Sequence, residues 1–299
     1  MFAKFPRPTP HAPRPLLMTR LFGVIGHPIA HSLSPVMHRA AFAAMRLDVR
    51  YEPFDVPGRW LAPLLRGLVL AGVDGLNVTV PLKEQVIPLL DRLDPAARAI
   101  GAVNTIVVRG RRTTGYNTDA AGFLLALREL GWRPRPTCAV ILGAGGAARA
   151  VAWALSRERG SCLTIANRHV ARARTLAHWL HRRRPGCRVR AEGLPALTLE
   201  GAELLVNATT VGMCASDRLL IDPSALHRGT LVYDLVYHRQ TALVQAARRR
   251  GCVAANGLSM LLYRGAESLR LWLRRAPPLD AMRRTLFSAV ESGKWKVDS

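Results

Sequence analysis

The sequence predicts an α/β protein whose second half is a parallel, doubly wound sheet, and three observations carry that reading. The apolar run Ala139-Val140-Ile141-Leu142 breaks into Gly143-Ala144-Gly145-Gly146-Ala147-Ala148, the pattern of a buried strand feeding a glycine loop and a helix. Further apolar runs at 162–166, 204–213 and 231–237 each carry polar residues toward their ends. Helical periodicity at about 147–157 and 169–183 separates them, and strands alternating with helices at such distances form a parallel sheet with ligands at its carboxyl ends.

Within the glycine loop, Gly143 permits the tight turn, Gly145 lets backbone N–H groups approach a pyrophosphate, and small Ala148 lets the helix pack on the sheet. The helix that starts at about Ala147 aims its positive end at that point. A G-x-G-x-x-A alone also fits an ordinary strand-to-helix turn. The second strand ends at Asn167-Arg168, where a dinucleotide site reads the ribose, and Arg172 follows. An NAD site favours Asp or Glu there. Asn167, Arg168 and Arg172 offer donors and positive charge, which suit the 2′-phosphate of NADP; the same arginines also read as solvated surface.

The first half opens with a strand at 21–26, followed by the polar loop His27-Pro28-Ile29-Ala30-His31-Ser32-Leu33-Ser34-Pro35. Ser34 reads as an N-cap with Pro35 in the first turn, and small or apolar residues continue at helical spacing. The hydroxyls of Ser32 and Ser34 then lie near a helix N-terminus, where an anion is welcome. A strand at 51–56 and a helix at about 60–70 lead to Leu76-Asn77-Val78-Thr79-Val80-Pro81-Leu82-Lys83-Glu84. Pro81 can open a helix with Lys83 in its first turn, where the dipole lowers a lysine pKa; spacing fits either a proton-transferring lysine or a solvent-facing one. A helical stretch runs from Asp91 into Gly101-Ala102-Val103-Asn104-Thr105, and Gly115-Tyr116-Asn117-Thr118-Asp119 precedes a helix at 120–130. The Pro-rich segment 133–136 marks a crossing into the second half. A last short strand at 252–255 leads through Gly257 into a helix reaching about Arg274, followed by an amphipathic tail.

With 299 residues, 49% of them hydrophobic, the chain is long enough for two domains. Net charge is +23, from 39 arginines and four lysines spread along the sequence. No nucleic-acid module accompanies that charge, so specific nucleic-acid binding is not expected, while loose binding at low salt is. No apolar run approaches the roughly 18 residues of a spanning helix, and no membrane association is expected. The five cysteines are scattered singly, without metal-ligand spacing; they read as reduced thiols of a cytoplasmic protein, with no metal site. Residues 1–17 hold five prolines and no periodicity, and read as a disordered arm or as sequence ahead of a true start at Met18.

From Leu21 to about Trp272 the chain resembles the shikimate dehydrogenase family. Seven blocks carry the likeness, in that family's order: 26–35, 77–84, 101–105, 115–119, 143–147, Asn167-Arg168 and Asn207-Ala208-Thr209. The resemblance implies a split α/β substrate domain, 18–119 with 257–299, around a Rossmann-type NADP-binding domain, 120–256. It implies reversible reduction of 3-dehydroshikimate to shikimate, a step of aromatic amino acid biosynthesis, with Lys83 and Asp119 as the acid–base pair. Ser32, Ser34 and Tyr237 would hold the substrate carboxylate, while Asn77, Thr79, Asn104 and Asp119 would read the ring hydroxyls. Gly143, Gly145, Gly146, Ala147, Asn167, Arg168, Arg172, Leu235 and Gly257 would line the cofactor site. A small cyclic hydroxy acid is the expected partner, and a homodimer is compatible with the family. Two departures stand out. Arg264 occupies the last site helix where the family usually has Gln, so a permanent donor replaces an amide that both gives and accepts. The segment 237–241 lacks the family's proline. Two rival readings follow: a paralogue oxidising quinate or a related ring acid, with NAD as an option, and a non-catalytic ligand sensor.

Overall fold

Two six-stranded sheets organise the computed structural model, which describes residues 20–292. The expectations for residues 1–17 lie outside them. The first sheet takes β1 (Arg20–Gly26), β2 (Val49–Asp55), β3 (Gly75–Val78), β4 (Arg92–Leu93), β5 (Thr105–Arg109) and β6 (Arg112–Tyr116), in the order β2-β1-β3-β5-β6-β4. Strands β1, β2 and β3 run parallel, and β5 is antiparallel to both its neighbours. The second sheet takes β7 (Cys138–Leu142), β8 (Cys162–Asn167), β9 (Arg188–Gly193), β10 (Leu204–Asn207), β11 (Leu231–Asp234) and β12 (Ala254–Asn256), in the order β12-β11-β10-β7-β8-β9. All its pairs are parallel. Strand order reverses between β7 and β10, the switch point at which doubly wound sheets bind ligands.

Helices α1 (Ser34–Ala44), α2 (Leu61–Leu70) and α3 (Pro95–Ile100) serve the first sheet. Asp94 caps α3, its carboxylate accepting from the Ala96 N–H at 2.9 Å. Helices α4 (Asp119–Glu129), α5 (Gly146–Leu155), α6 (Val170–Arg183) and α7 (Ala242–Arg249) follow, and α8 (Leu258–Leu273) and α9 (Leu279–Ser292) return to pack with α1. Trp272 of α8 is buried against Gly75 so closely that a Cβ there would lie 2.3 Å from its indole nitrogen. Its N–H donates to the Ile106 carbonyl at 2.9 Å, which ties the last part of the chain to the first sheet.

Several local expectations are corrected. Pro81 opens no helix: residues 80–86 form turns, because the Lys83 carbonyl, which a helix would bond to Ile87, accepts instead from the Val103 N–H at 2.8 Å. Ser34 is the first helical residue and caps nothing; Leu33 holds the cap position, and the Ser32 hydroxyl accepts from the Ser34 N–H at 3.3 Å. The runs 204–213 and 231–237 pair only as far as Asn207 and Asp234. There the Asn207 and Asp234 side chains accept from the Thr209 and Val236 N–H groups and turn the chain. The last strand starts at Ala254, two residues later than expected. Cys138 and Cys162 are not free thiols: they are register partners on β7 and β8, with Cα atoms 4.5 Å apart, and form a disulfide. Cys187 and Cys252 are free and buried, and Cys214 is free and exposed. Among the described residues no helix is long and apolar enough to cross a membrane.

Candidate active site

A cleft of about 950 Å³ opens between the two sheets. Nine expected site residues border it: Ser32, Thr79, Lys83, Asp119, Ala147, Leu235, Tyr237, Gly257 and Arg264. A second pocket of about 10 Å³ brings Ser34 and Asn77 together with Ser32, Thr79 and Arg264.

At the centre, Lys83 Nζ donates to Asp119 Oδ2 at 2.6 Å. Both residues are buried, Asp119 completely. Lys83 comes from the turn after β3, while Asp119 is the first residue of α4. Arg264 Nη1 donates to Asp119 Oδ1 at 3.3 Å, and Asn104 Nδ2 donates to the same oxygen at 2.9 Å. The helices carrying Asp119 and Arg264 touch through Gly122, where a Cβ would lie 2.9 Å from the Arg264 backbone nitrogen. Gly122 thus lets Arg264 reach the pair.

Burial pushes the Lys83 ammonium below its ordinary pKa; the Asp119 charge opposes this and the Arg264 charge adds to it. For Asp119, burial alone would raise the pKa, but the charges and hydrogen bonds of Lys83 and Arg264 outweigh it and hold the carboxyl below its ordinary value. The cause for Lys83 is therefore burial beside a cation, where a helix dipole was expected. A helix end does approach, from elsewhere: a Cβ on Gly146, first residue of α5, would lie 3.1 Å from the Lys83 Cβ.

Asn104 stands behind the cleft. Its amide is engaged by Thr118 and Asp119, and its carbonyl oxygen accepts from the Thr118 N–H at 2.8 Å and the Thr105 hydroxyl at 3.2 Å. It positions Asp119. Asn77 is held by the Tyr51 hydroxyl, which donates to its Oδ1 at 2.7 Å, and by Ser268, which accepts from its Nδ2 at 3.0 Å.

The glycine loop fits a dinucleotide. Gly143 has φ +114°, and a Cβ there would lie 3.0 Å from the Ala208 carbonyl oxygen, so only glycine is comfortable. At Gly145 a Cβ would meet nothing within 4 Å, which leaves the α5 N-terminus open to a ligand. Register places the loop beside the end of β8, since the Gly143 N–H donates to the Ala166 carbonyl at 2.7 Å. Asn167 is partly buried, its side chain accepting from the His169 N–H. Arg168 and Arg172 are exposed beyond it and do not border the cleft. A nucleotide reaching both the cleft and these arginines would cross the α5 N-terminus.

Sequence reading missed a buried group next to the site. Asp234 at the end of β11 accepts from Thr241 at 2.6 Å and from Asn207 at 2.9 Å. Burial pushes its carboxyl up to about 6 against these bonds, and the cluster anchors the segment 235–241 that borders the cleft. Its signal was present: Asn207 and Asp234 are the polar ends of two apolar runs and are register partners. Among the described residues no cluster of His, Cys, Asp and Glu could hold a metal.

A doubly wound sheet with a glycine loop at its switch point, facing a buried lysine–carboxylate pair, defines a two-domain nucleotide-dependent oxidoreductase. Comparison with known proteins gives the particular family. The family model for the shikimate dehydrogenase substrate binding domain matches residues 24–106. A shikimate dehydrogenase (NADP(+)) of Rubrobacter xylanophilus is 50% identical over 275 residues, covering 90% of this chain and 95% of that protein. A shikimate dehydrogenase crystallised with NADP+ matches with TM-score 0.85 at 35% identity, over 91% of this chain and 96% of the other. The Thermus thermophilus enzyme, solved with NADP(H) and shikimate, matches with TM-score 0.79 at 38% identity, over 91% of this chain and all of that one. The chain belongs to the shikimate dehydrogenase family.

Proposed function

We propose that this protein is an NADP-dependent shikimate dehydrogenase that reversibly reduces 3-dehydroshikimate to shikimate. The observation that carries the reading is the buried Lys83–Asp119 pair at 2.6 Å, set between the α5 N-terminus and the Ser32–Ser34 corner. Reducing a ketone places charge on its oxygen, which needs a proton donor held at that atom. Lys83 is that donor; Asp119 keeps it oriented and charged, and Asn104 fixes Asp119. NADPH, when bound, would supply the hydride. Gly143, Gly145, Gly146 and Ala147 would hold its phosphates, Leu235 and Gly257 would line its side of the cleft, and Asn167, Arg168 and Arg172 would pair with the 2′-phosphate.

Ser32, Ser34 and Tyr237 bind the carboxylate of the ring acid, and Asn77, Thr79 and Arg264 face its hydroxyls. In this reading 18–119 with 257–299 bind the substrate and 120–256 bind the cofactor, in a cytoplasmic protein compatible with a homodimer. The test is NADPH oxidation by the purified protein with 3-dehydroshikimate, with NADH as comparison cofactor, and in the reverse direction NADP+ reduction by shikimate against quinate. Binding of both ligands without turnover would show a sensor instead. Faster turnover of quinate than of shikimate would move the assignment to the paralogue.

A further inference from the structure

One buried polar side chain beside the cleft has no task in this reading. His38 lies one turn beyond Ser34 on α1, is fully buried, and has no hydrogen-bond partner at either ring nitrogen. Its ring stacks on Tyr51, with centroids 4.6 Å apart and planes inclined by 15°, and touches Trp272 at 5.2 Å. Phenylalanine would supply the same packing, so the nitrogens need another explanation. Burial pushes the imidazole down to about 3, partly offset by the nearby Asn77 amide and reinforced by Arg264. The ring is therefore neutral, with one nitrogen donating and the other accepting.

His38 borders the pocket of about 10 Å³ that also holds Ser32, Ser34, Asn77 and Thr79. That volume is about the least that accommodates one water, and a buried water needs two to four polar partners. The pocket supplies them. Asn77 Oδ1, which takes one bond from Tyr51, has a second lone pair, and the serine hydroxyls can give or accept.

We propose that His38 holds a single buried water molecule in this pocket, bridging its ring to Ser34 and Asn77, and thereby orients the Ser34 hydroxyl toward the ring acid and adds to the hold on Asn77. His38 is then a positioning residue. The inference rests on the reading of Ser34 and Asn77 as substrate groups, but the water itself is testable without substrate. The variants are His38→Phe, which keeps ring area and stacking but removes both nitrogens, and His38→Gln, which restores a donor and an acceptor. His38→Phe should raise the shikimate KM about ten-fold, the scale of one buried polar group losing its partner. The NADP+ KM and the thermal midpoint should stay near wild type, and His38→Gln should recover most of the loss.

A high-resolution crystal structure without ligands should show the water within hydrogen-bond distance of His38 in the wild type and not in His38→Phe. A dry wild-type pocket, an unchanged shikimate KM in His38→Phe, or equal rises in both KM values with a lowered midpoint would each overturn the proposal. If His38→Phe does not fold, the wild-type density and the His38→Gln kinetics decide. A wild type inactive on shikimate would sink the assigned reaction, while the density would still decide the water.

Discussion

Arg264→Gln is the most informative substitution, because it restores the residue usual in the family while leaving Lys83 and Asp119 in place. Arg264 lies 3.3 Å from Asp119 and is mostly buried. Unit charges at that distance, in an effective dielectric of about 20, attract by about 5 kcal/mol before desolvation is counted. Most of this is cancelled by the cost of burying the guanidinium, leaving about 1–3 kcal/mol, the net value of a charge-assisted hydrogen bond. Asp119 keeps Lys83 and Asn104 after the change, so the variant folds with little loss. The sign for titration follows from charge alone. Arg264 disfavours the protonated form of Lys83 and favours the Asp119 carboxylate; removing it raises both pKa values. The two groups titrate as a coupled pair, so both limbs of the rate profile should move to higher pH in Arg264→Gln. If Arg264 also contacts a substrate hydroxyl, the ratio of kcat/KM between shikimate and quinate should change about 5- to 150-fold, the same free energy expressed as a rate ratio. The assay is steady-state kinetics with both acids over pH 6–10. An unchanged profile and unchanged preference would refute the reasoning and leave Arg264 as a structural partner of Asp119 alone.

Lys83→Ala should lower turnover by roughly 10²-fold or more with the shikimate KM near wild type, since proton transfer is a transition-state contribution; near-normal kcat would remove Lys83 from the mechanism. Arg168→Ala should raise the NADPH KM while hardly changing that of NADH, because only NADPH carries the 2′-phosphate; equal losses would mark the arginine as structural. Asp234 is held near 6, above its ordinary 3.8, so the folded state binds its proton more tightly than the unfolded state. Its stabilising contribution is present below about pH 4 and is lost as pH rises to about 6, worth roughly 3 kcal/mol at most. Asp234→Asn should therefore flatten the fall in melting temperature over that window, and identical pH dependence in both proteins would count against a raised pKa.

The elements legible in the sequence were those whose signal is local. The glycine loop declared itself because Gly143 must adopt positive φ beside the Ala208 carbonyl, a demand that few residue types satisfy. The turn around Lys83 was misread because its decisive hydrogen bond, from the Val103 N–H to the Lys83 carbonyl, joins positions far apart in sequence. Strand β9 went unread for a different reason. It is an edge strand in which arginines alternate with half-buried residues, the charged composition that protects an edge and hides it from hydropathy. Cys138 and Cys162 looked unrelated until register made them neighbours. Tyr51 and His38 looked like ordinary members of a strand and a helix, since nothing local tells an aromatic packed in a core from one that also supports Asn77.

The same contrast explains why the pairing of Lys83 with Asp119 needed the family likeness to be seen. Lys83 and Asp119 are 36 residues apart, and neither has a local pattern that requires the other. What brings them together is a set of close backbone approaches. Gly146 brings the start of α5 against Lys83, and Gly122 lets α8 carry Arg264 to Asp119. Lys83 is thus approached by the first turn of α5, while Asp119 opens the helix that joins the first sheet to the second. Any shift of α5 relative to the first sheet changes the space around the Lys83 side chain, and with it the desolvation that lowers its pKa. Lys83 is therefore tuned by contacts with both halves of the protein, and its acidity is a property of the cleft between them more than of the turn that carries it.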